Sequence, residues 1–380
     1  MSKELENTTQ IKPSKCIKDF SYEELKSFIQ ELGEPAYRAD QIYTDIYSNR
    51  RNSFDEFKTI PLNLRNKLSE EFILNSITNH HAQYSSDGTI KFLFDYANGS
   101  SVESVMIPKS DEEYEDTMKR MTLCVSSQVG CALDCSFCAT GKLKFTRNLT
   151  AGEIIDQVLN VERISNIKIS NIVFMGMGEP LMNLDNVLKA IDILTNQKAM
   201  IISRKRITIS TSGIIPKMNE LAEVKPPIKL AVSLHATTQD LRKEIMPIAQ
   251  KWDLSSLRAA CENYYRKTKI PVTFEYILFD GINNTDYDAN RLAKFVRAFP
   301  SKINIIQFHD ISFTNPVPQK VDLSPASMEQ IDKFVDKLRS LGVNAFLRTS
   351  SGFDIDAACG QLAFSKKNDE TDNGKSGLIK

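Results

Sequence analysis

Met121-Thr122-Leu123-Cys124-Val125-Ser126 is an apolar run of strand-forming character, and the loop Cys131-Ala132-Leu133-Asp134-Cys135-Ser136-Phe137-Cys138 follows directly after it. Thr150 and Glu153 then form a Thr-x-x-Glu capping box, opening a helix whose apolar face is Ile154, Ile155, Val158 and Leu159. The same order recurs downstream. Apolar β-rich runs at Ile172–Met175, Ile207–Ser210, Leu230–Leu234, Val272–Leu278 and Ile303–Phe308 alternate with helical stretches. Six strands with intervening helices imply a parallel sheet, so the expected fold class is α/β, a partial (βα)6 barrel of the TIM type. Reactive groups are then expected at the C-terminal ends of the strands. A last β-like run, Val343–Arg348, precedes a loop containing Cys359.

Upstream the pattern differs. From Ser21 to Phe72 the apolar residues Leu25, Phe28, Ile29, Leu32, Ile42, Ile46, Leu62, Leu64 and Leu68 fall at helical spacing. From His80 to Pro108 they alternate, broken by Asp87-Gly88 and Asn98-Gly99, dipeptides that favour type I′ hairpin turns and predict a three-stranded meander. The expected organisation is a disordered tail over 1–20, a helical accessory unit over 21–78 and a β-meander connection over 79–110. The large α/β domain over 111–365 opens with an exposed charged segment at Asp111 to Arg120, and a second disordered tail covers 366–380.

Among the 380 residues, 48 basic side chains balance 48 acidic ones, so nucleic-acid contact has to come from local basic patches rather than a global field. No run of eighteen apolar residues occurs and the first residues are polar, which predicts a cytoplasmic protein without a membrane segment. The cysteines are Cys16, Cys124, Cys131, Cys135, Cys138, Cys261 and Cys359. Their odd number and crowding argue for metal or redox chemistry over a disulfide framework.

Three thiols on one loop suit either zinc or an iron-sulfur cluster, both of which take soft thiolate ligands. A structural zinc site wants four ligands, and no partner Cys-x-x-Cys pair lies elsewhere. Three ligands leave one metal position open. The strand at Ile172 to Met175 leads into Gly176-Met177-Gly178-Glu179-Pro180, where glycines permit close backbone approach and Glu179 offers an acceptor for an ammonium group.

The spacing Cys-x-x-x-Cys-x-aromatic-Cys, with Phe137 as the aromatic, resembles the motif of the radical S-adenosylmethionine superfamily. The remaining motifs narrow the resemblance. Cys124-Val-Ser-Ser-Gln-Val-Gly-Cys131, Phe137-Cys-Ala-Thr-Gly141, Arg147-Asn148-Leu149, Tyr37-Arg38-Ala39-Asp40-Gln41 and Asp354-Ile-Asp-Ala-Ala-Cys359-Gly-Gln-Leu362 are similar to those of the dual-specificity ribosomal and transfer RNA adenine-C2 methyltransferases. The match runs from about Ser21 to Leu362. The C8-methylating relatives share both extra cysteines, but Asp354-Ile355-Asp356 favours the C2 enzymes.

The resemblance implies a 4Fe-4S cluster on Cys131, Cys135 and Cys138 and two S-adenosyl-L-methionine molecules per turnover. It places Gly178, Glu179, Ser210, Ser212, Ser233, Leu234 and His235 at S-adenosylmethionine, with His309 where the family commonly has asparagine. It also implies a methyl-carrying Cys359, Glu103 as general base and Cys124 as the thiolate that releases the product by forming a disulfide with Cys359. Adenine C2 is electron-poor, so a radical route avoids the barrier to ordinary methyl transfer. Implied partners are 23S rRNA, tRNA and an electron donor such as flavodoxin or ferredoxin, with the chain acting as a monomer. Arg38, Lys142, Lys144, Arg147, Arg204, Lys205 and Arg206 are the candidate RNA contacts, the last six expected near the reactive rim. A target base would have to leave its stack to reach the cluster.

Overall fold

The computed structural model describes residues 15–109, 120–199, 201–311, 321–348, 351–358 and 360–362. Strand β1 (Lys15–Cys16) leads to helices α1 (Tyr22–Glu31), α2 (Tyr37–Tyr47) and α3 (Leu62–Glu71), and β2 (Phe72–Ile73) pairs with β1 in parallel. Helix α1 starts where it does because Ser21 and Glu24 cap one another's backbone N–H groups. Its buried Leu25 and Ile29 share a core with Ile42, Tyr43 and Ile46 of α2 and Leu64 and Leu68 of α3.

Residues 15–20, expected within a disordered tail, are packed. Cys16 and Ile17 are buried, Lys18 forms an inward ion pair with Asp156, and the Asp19 carboxylate accepts the Gly152 N–H at 2.7 Å. The polar residues of this segment are spent on fastening it to one buried helix. Residues 1–14, the charged segment at 111–119 and the tail from 366 lie outside the described residues.

Strands β3 (Ile77–Tyr84), β4 (Ile90–Tyr96) and β5 (Ser101–Lys109) form the antiparallel meander. Its turns are not of type I′, which needs positive φ at both central residues: only Gly88 and Gly99 take positive φ, at 85° and 78°. Asp87 and Asn98 instead use their side chains to accept the N–H groups of Thr89 and Ser100 two residues on.

The meander is not a separate connection, because β5 pairs with β6 (Arg120–Cys124) and the sheet continues unbroken. After β6 come β7 (Gln128–Val129), α4 (Ala139–Lys142), β8 (Arg147–Asn148), α5 (Ala151–Ser165), β9 (Asn171–Phe174), α6 (Leu184–Thr195) and β10 (Ile207–Thr211). Then follow α7 (Ile215–Glu223), β11 (Lys229–Ser233), α8 (Gln239–Ile245), α9 (Leu254–Thr268), β12 (Val272–Leu278), α10 (Asp286–Val296), β13 (Ser301–Gln307), α11 (Met328–Ser340) and β14 (Ala345–Arg348). The ten-stranded order is β14-β13-β12-β11-β10-β9-β6-β5-β4-β3. Within this sheet every pairing from β6 to β14 is parallel, so the run at Val343–Arg348 adds a seventh strand to the six expected, while β7 and β8 form a separate antiparallel pair. The result is a partial TIM-type barrel with helices outside and strand C-termini gathered at one end.

Register fixes which side chains meet. Lys91 lies opposite Val105, Val105 opposite Cys124, and Glu103 two residues from Val105, so Lys91, Glu103 and Cys124 face the same side of the sheet. The other face buries Phe92, Phe94 and Tyr96, whose hydroxyl donates to the Glu153 carbonyl of α5.

Candidate active site

The strand C-termini line an open cavity, with about 840 Å³ of atom-free space in it and its solvent-filled mouth, walled by Cys131, Cys135 and Cys138 on one side and by the ends of β9 to β14 on the others. The cysteine loop is shaped by Gly130 at φ 71°, where an added Cβ would sit 1.7 Å from the Lys144 carbonyl oxygen. Burial and their mutual proximity push the Cys131 thiol up to about 12 and the Cys135 thiol well above its ordinary value. Thiolate ligation to a cationic metal centre offsets that penalty. Among the described residues no three His, Cys, Asp or Glu side chains close around a single ion. Three soft donors spread along the wall of one large cavity fit a multi-iron cluster.

Facing the thiols, Gly178 (φ 95°) brings the backbone against Gln128, where a Cβ would lie 2.5 Å from that side chain. Gln128 Oε1 accepts the Glu179 N–H at 2.8 Å. The Glu179 carboxylate, buried, accepts from the Ser212 N–H at 2.8 Å, from the Ser212 hydroxyl and from the Leu181 N–H at 3.1 Å. Burial raises its pKa, and these donors pull it back.

Ser210, Ser212, Ser233 and His235 all line the cavity. His235 Nδ1 accepts the Ile277 N–H at 3.1 Å, so the ring is neutral with its proton on Nε2. Burial, with Arg242 nearby, holds its pKa down at about 3. Two expected residues sit differently. The Leu234 side chain is fully buried in the core, leaving its backbone, whose N–H donates to the Glu275 carbonyl. His309 is buried against Phe353, with ring centroids 5.1 Å apart, and does not line the cavity.

A second cavity adjoins the first, sharing Met175, Ile306, Arg348 and Gly360 with it. Its other walls include Val105, Cys124, Ala357 and Ala358. Cys359 lies outside the described residues, but both its neighbours line this space. Beyond it the loop is fastened to the cluster side, with Ala139 N–H donating to the Gly360 carbonyl and Thr140 Oγ1 to the Leu362 carbonyl, each at 2.7 Å. Before it, the Asp354 carboxylate accepts the Ser85 hydroxyl at 2.6 Å and the Ser86 N–H at 3.1 Å on the β3–β4 turn. Glu103 is buried behind this region, 3.6 Å from Lys91, and lines neither cavity.

The basic residues divide. Lys144 is exposed just past the cluster loop, and Lys142 stands 3.2 Å from Asp134 of that loop. Arg147 makes a two-pronged pair with Glu153 at 2.7 and 2.9 Å and donates to Ser100, so its guanidinium holds the start of α5 to the meander. Arg38 is engaged by Gln41 and the Thr59 carbonyl. Arg204, Lys205 and Arg206, expected near the reactive rim, immediately precede β10 and therefore sit at the N-terminal end of the barrel strands, away from the cavity; Arg204 also pairs with Asp192. Proximity in sequence to a barrel strand does not say which of its ends a residue occupies.

Residues not anticipated support or complete the walls. Arg242, fully buried, donates to the carbonyls of Ser212, Ser233 and Leu234, tying the ends of β10 and β11 together. Glu275 and Arg348 line the cavity at the β12 and β14 side. The signal for Glu275 was present: a lone carboxylate within the apolar run Val272–Leu278.

Fold and site together define a radical S-adenosylmethionine enzyme, and comparison with known proteins agrees. Residues 125–293 match the model of the radical SAM superfamily, and residues 17–74 match that of the ribosomal RNA large subunit methyltransferase N-terminal domain. The chain is 44% identical to a probable dual-specificity RNA methyltransferase RlmN of Chlorobium phaeobacteroides, covering 93% of this chain and 96% of that one. It is 41% identical to the dual-specificity RNA methyltransferase RlmN of Syntrophobacter fumaroxidans, covering 91% and 97%. A crystal structure of a radical SAM methyltransferase from Sphaerobacter thermophilus superimposes with a TM-score of 0.83 at 38% identity, over 92% of this chain and 99% of that one. The chain belongs to the RlmN-type dual-specificity RNA methyltransferases. Membership of the superfamily implies a 4Fe-4S cluster and S-adenosylmethionine. Among the described residues no helix is long and apolar enough to cross a membrane.

Proposed function

We propose that this enzyme methylates C2 of adenosine in 23S rRNA and tRNA, through a methyl group carried on Cys359. The observation that carries the reading is the pair of adjoining cavities: one is walled by Cys131, Cys135 and Cys138, the other by Cys124 and both neighbours of Cys359. When bound, the cluster and S-adenosylmethionine supply the methyl group and a radical able to remove one hydrogen atom from it, and they take back the single electron left on the base after addition. Cys131, Cys135 and Cys138 hold the cluster, while Gly178, Glu179, Ser210, Ser212, Ser233 and His235 hold S-adenosylmethionine, two molecules being used per turnover. Leu234 contributes through its backbone.

Cys359 carries the methyl on sulfur, and its carbon, short of that hydrogen, bonds to adenine C2. The C2 proton passes to Glu103, which lines neither cavity but lies on the same sheet face as Cys124. The Cys124 thiolate then attacks the sulfur of Cys359; the new S–S bond displaces the carbon, which takes up a proton as the finished methyl group. Lys142 and Lys144 beside the cluster loop offer phosphate contacts. Two units serve this scheme, an RNA-contacting helical unit over residues 21–78 and a catalytic barrel over 111–365 whose sheet the meander extends, bringing Glu103 with it. A flavodoxin or ferredoxin supplies electrons, and a monomer contains every residue named.

The test is mass spectrometry of rRNA and tRNA from a deletion strain. Loss of 2-methyladenosine from both, restored by the wild-type gene and not by Cys359→Ala, is the expected result. Retention of 2-methyladenosine, or loss of 8-methyladenosine instead, would overturn it.

A further inference from the structure

We propose that Glu275 binds the ribose of the S-adenosylmethionine held in the barrel cavity, its Oε2 accepting hydrogen bonds from the sugar hydroxyls. The inference rests on the reading above that this cavity takes S-adenosylmethionine.

Strand β12 is buried along its whole length, and Glu275 is its one charged residue. A carboxylate so placed is destabilising unless its oxygens find donors. The register sets Glu275 beside Ser233 on β11 and Asn304 on β13, and its side chain lines the cavity. Asn304 Nδ2 donates to Oε1 at 2.9 Å, which fixes the carboxylate plane. Oε2 is buried and accepts no hydrogen bond from the described residues. Arg348 Nη1 stands 3.9 Å from it, close enough to balance charge but too far for a hydrogen bond.

Of the two buried carboxylates that line the cavity among the described residues, Glu179 already takes three donors from its own chain, whereas Glu275 has a whole oxygen left. The missing partner must therefore bring O–H or N–H groups. Arg348 disfavours a cationic partner at this spot, so the ammonium and sulfonium of the cofactor are poor candidates. Neutral hydroxyls suit it, and carboxylate to ribose hydroxyl is a pairing that nucleotide-binding folds use repeatedly. The ribose of an RNA nucleotide offers the same chemistry, and the test separates the two sources.

The measurement is calorimetric titration of the cluster-loaded enzyme with S-adenosylhomocysteine and its 2′-deoxy and 3′-deoxy analogues, without RNA. In Glu275→Gln the amide oxygen keeps the Asn304 donor, which turns the NH2 toward the cavity and sets donor against donor. S-adenosylhomocysteine should then bind roughly 10- to 100-fold more weakly, the range of a hydrogen bond to a charged group. Iron content should be unchanged. Wild-type enzyme should lose a similar factor with at least one deoxy analogue, and the variant should no longer distinguish that analogue from the parent.

If the variant loses its cluster, the wild-type comparison decides alone: equal affinity for all three ligands overturns the proposal. A variant that still discriminates as strongly as wild type overturns it too, as does one with normal S-adenosylhomocysteine affinity and weakened RNA binding. No binding of S-adenosylhomocysteine by the wild-type holoenzyme would instead defeat the underlying cofactor reading, a separate result from failure of the Glu275 assignment.

Discussion

The Lys91 ammonium stands 3.6 Å from the Glu103 carboxylate across neighbouring strands, with side chains only 3% and 2% exposed. Lys91 also reaches the Asp356 carbonyl at 3.4 Å, three residues before Cys359, so one buried cation joins the meander, the expected base and the C-terminal loop. Removing one member of a buried ion pair strands the other charge, at a cost of about 3–5 kcal/mol. Lys91→Met should therefore destabilise the fold by about that much, and adding Glu103→Gln to it should recover part of the loss. Urea unfolding of the two single variants and the double variant checks this; strictly additive losses would mean that the pair is not coupled.

For the cluster, alanine at Cys131, Cys135 or Cys138 removes one of the three thiolates proposed to hold it and should abolish iron and sulfide loading while leaving the helical unit folded. Iron and sulfide assays with circular dichroism provide the check. Full iron retention in any one of these variants would displace that residue from the metal centre.

Much of this site is local in sequence and was legible there. The Thr150–Glu153 box caps α5 as expected, and the cysteine loop and Gly178-Glu179 segment meet because each follows its strand to the same end of a parallel sheet. What could not be read depends on partners remote in sequence. Lys18 and Asp19 look like tail residues until Asp156 and Gly152, more than a hundred positions on, claim them. Arg147 looks like a phosphate ligand until Glu153 and Ser100 are placed around it. Asp87-Gly88 and Asn98-Gly99 announce turns but not their type, because the Asp and Asn side chains compete for the backbone donors that decide it.

The placement of basic residues gives a prediction about RNA. Lys144 is exposed beside the cluster loop, whereas Lys205 and Arg206 are exposed at the opposite end of the barrel. Lys144→Ala should weaken RNA binding and reduce its logarithmic salt dependence by about one, as expected for one lost phosphate contact. Lys205→Ala with Arg206→Ala should change neither. Filter binding across a salt series distinguishes the two surfaces.

His235 should make stability depend on pH in a definite direction. Its pKa falls from 6.5 to about 3 on folding, so below pH 6.5 the unfolded chain binds a proton that the folded one refuses. Its contribution is fully present above pH 6.5 and is lost as pH falls toward 3, by about 1.4 kcal/mol per pH unit. His235→Gln keeps an acceptor for the Ile277 N–H but does not titrate. Anaerobic urea unfolding of both proteins at pH 7.5 and pH 5 should show the wild type losing about 2 kcal/mol more than the variant over that interval. A pH-independent difference would mean that His235 is not held neutral.

Cys124 is the residue whose two possible roles diverge most sharply under substitution. It is buried at the end of β6 and lines the cavity that both neighbours of Cys359 also line. As a small core residue it would cost roughly 1 kcal/mol on change to alanine and leave turnover intact. As the releasing thiolate it acts only after Cys359 and RNA are already joined, so its loss should spare every earlier step and trap the joined species. Cys124→Ala expressed with its RNA should therefore accumulate a protein–RNA conjugate that survives denaturation, shifts on denaturing gels, is sensitive to ribonuclease and maps to Cys359 by peptide mass analysis. Cys124→Ala combined with Cys359→Ala should give no conjugate, because the carrier sulfur is gone. Free protein with normal RNA methylation in the single variant would remove Cys124 from the reaction and return it to the core.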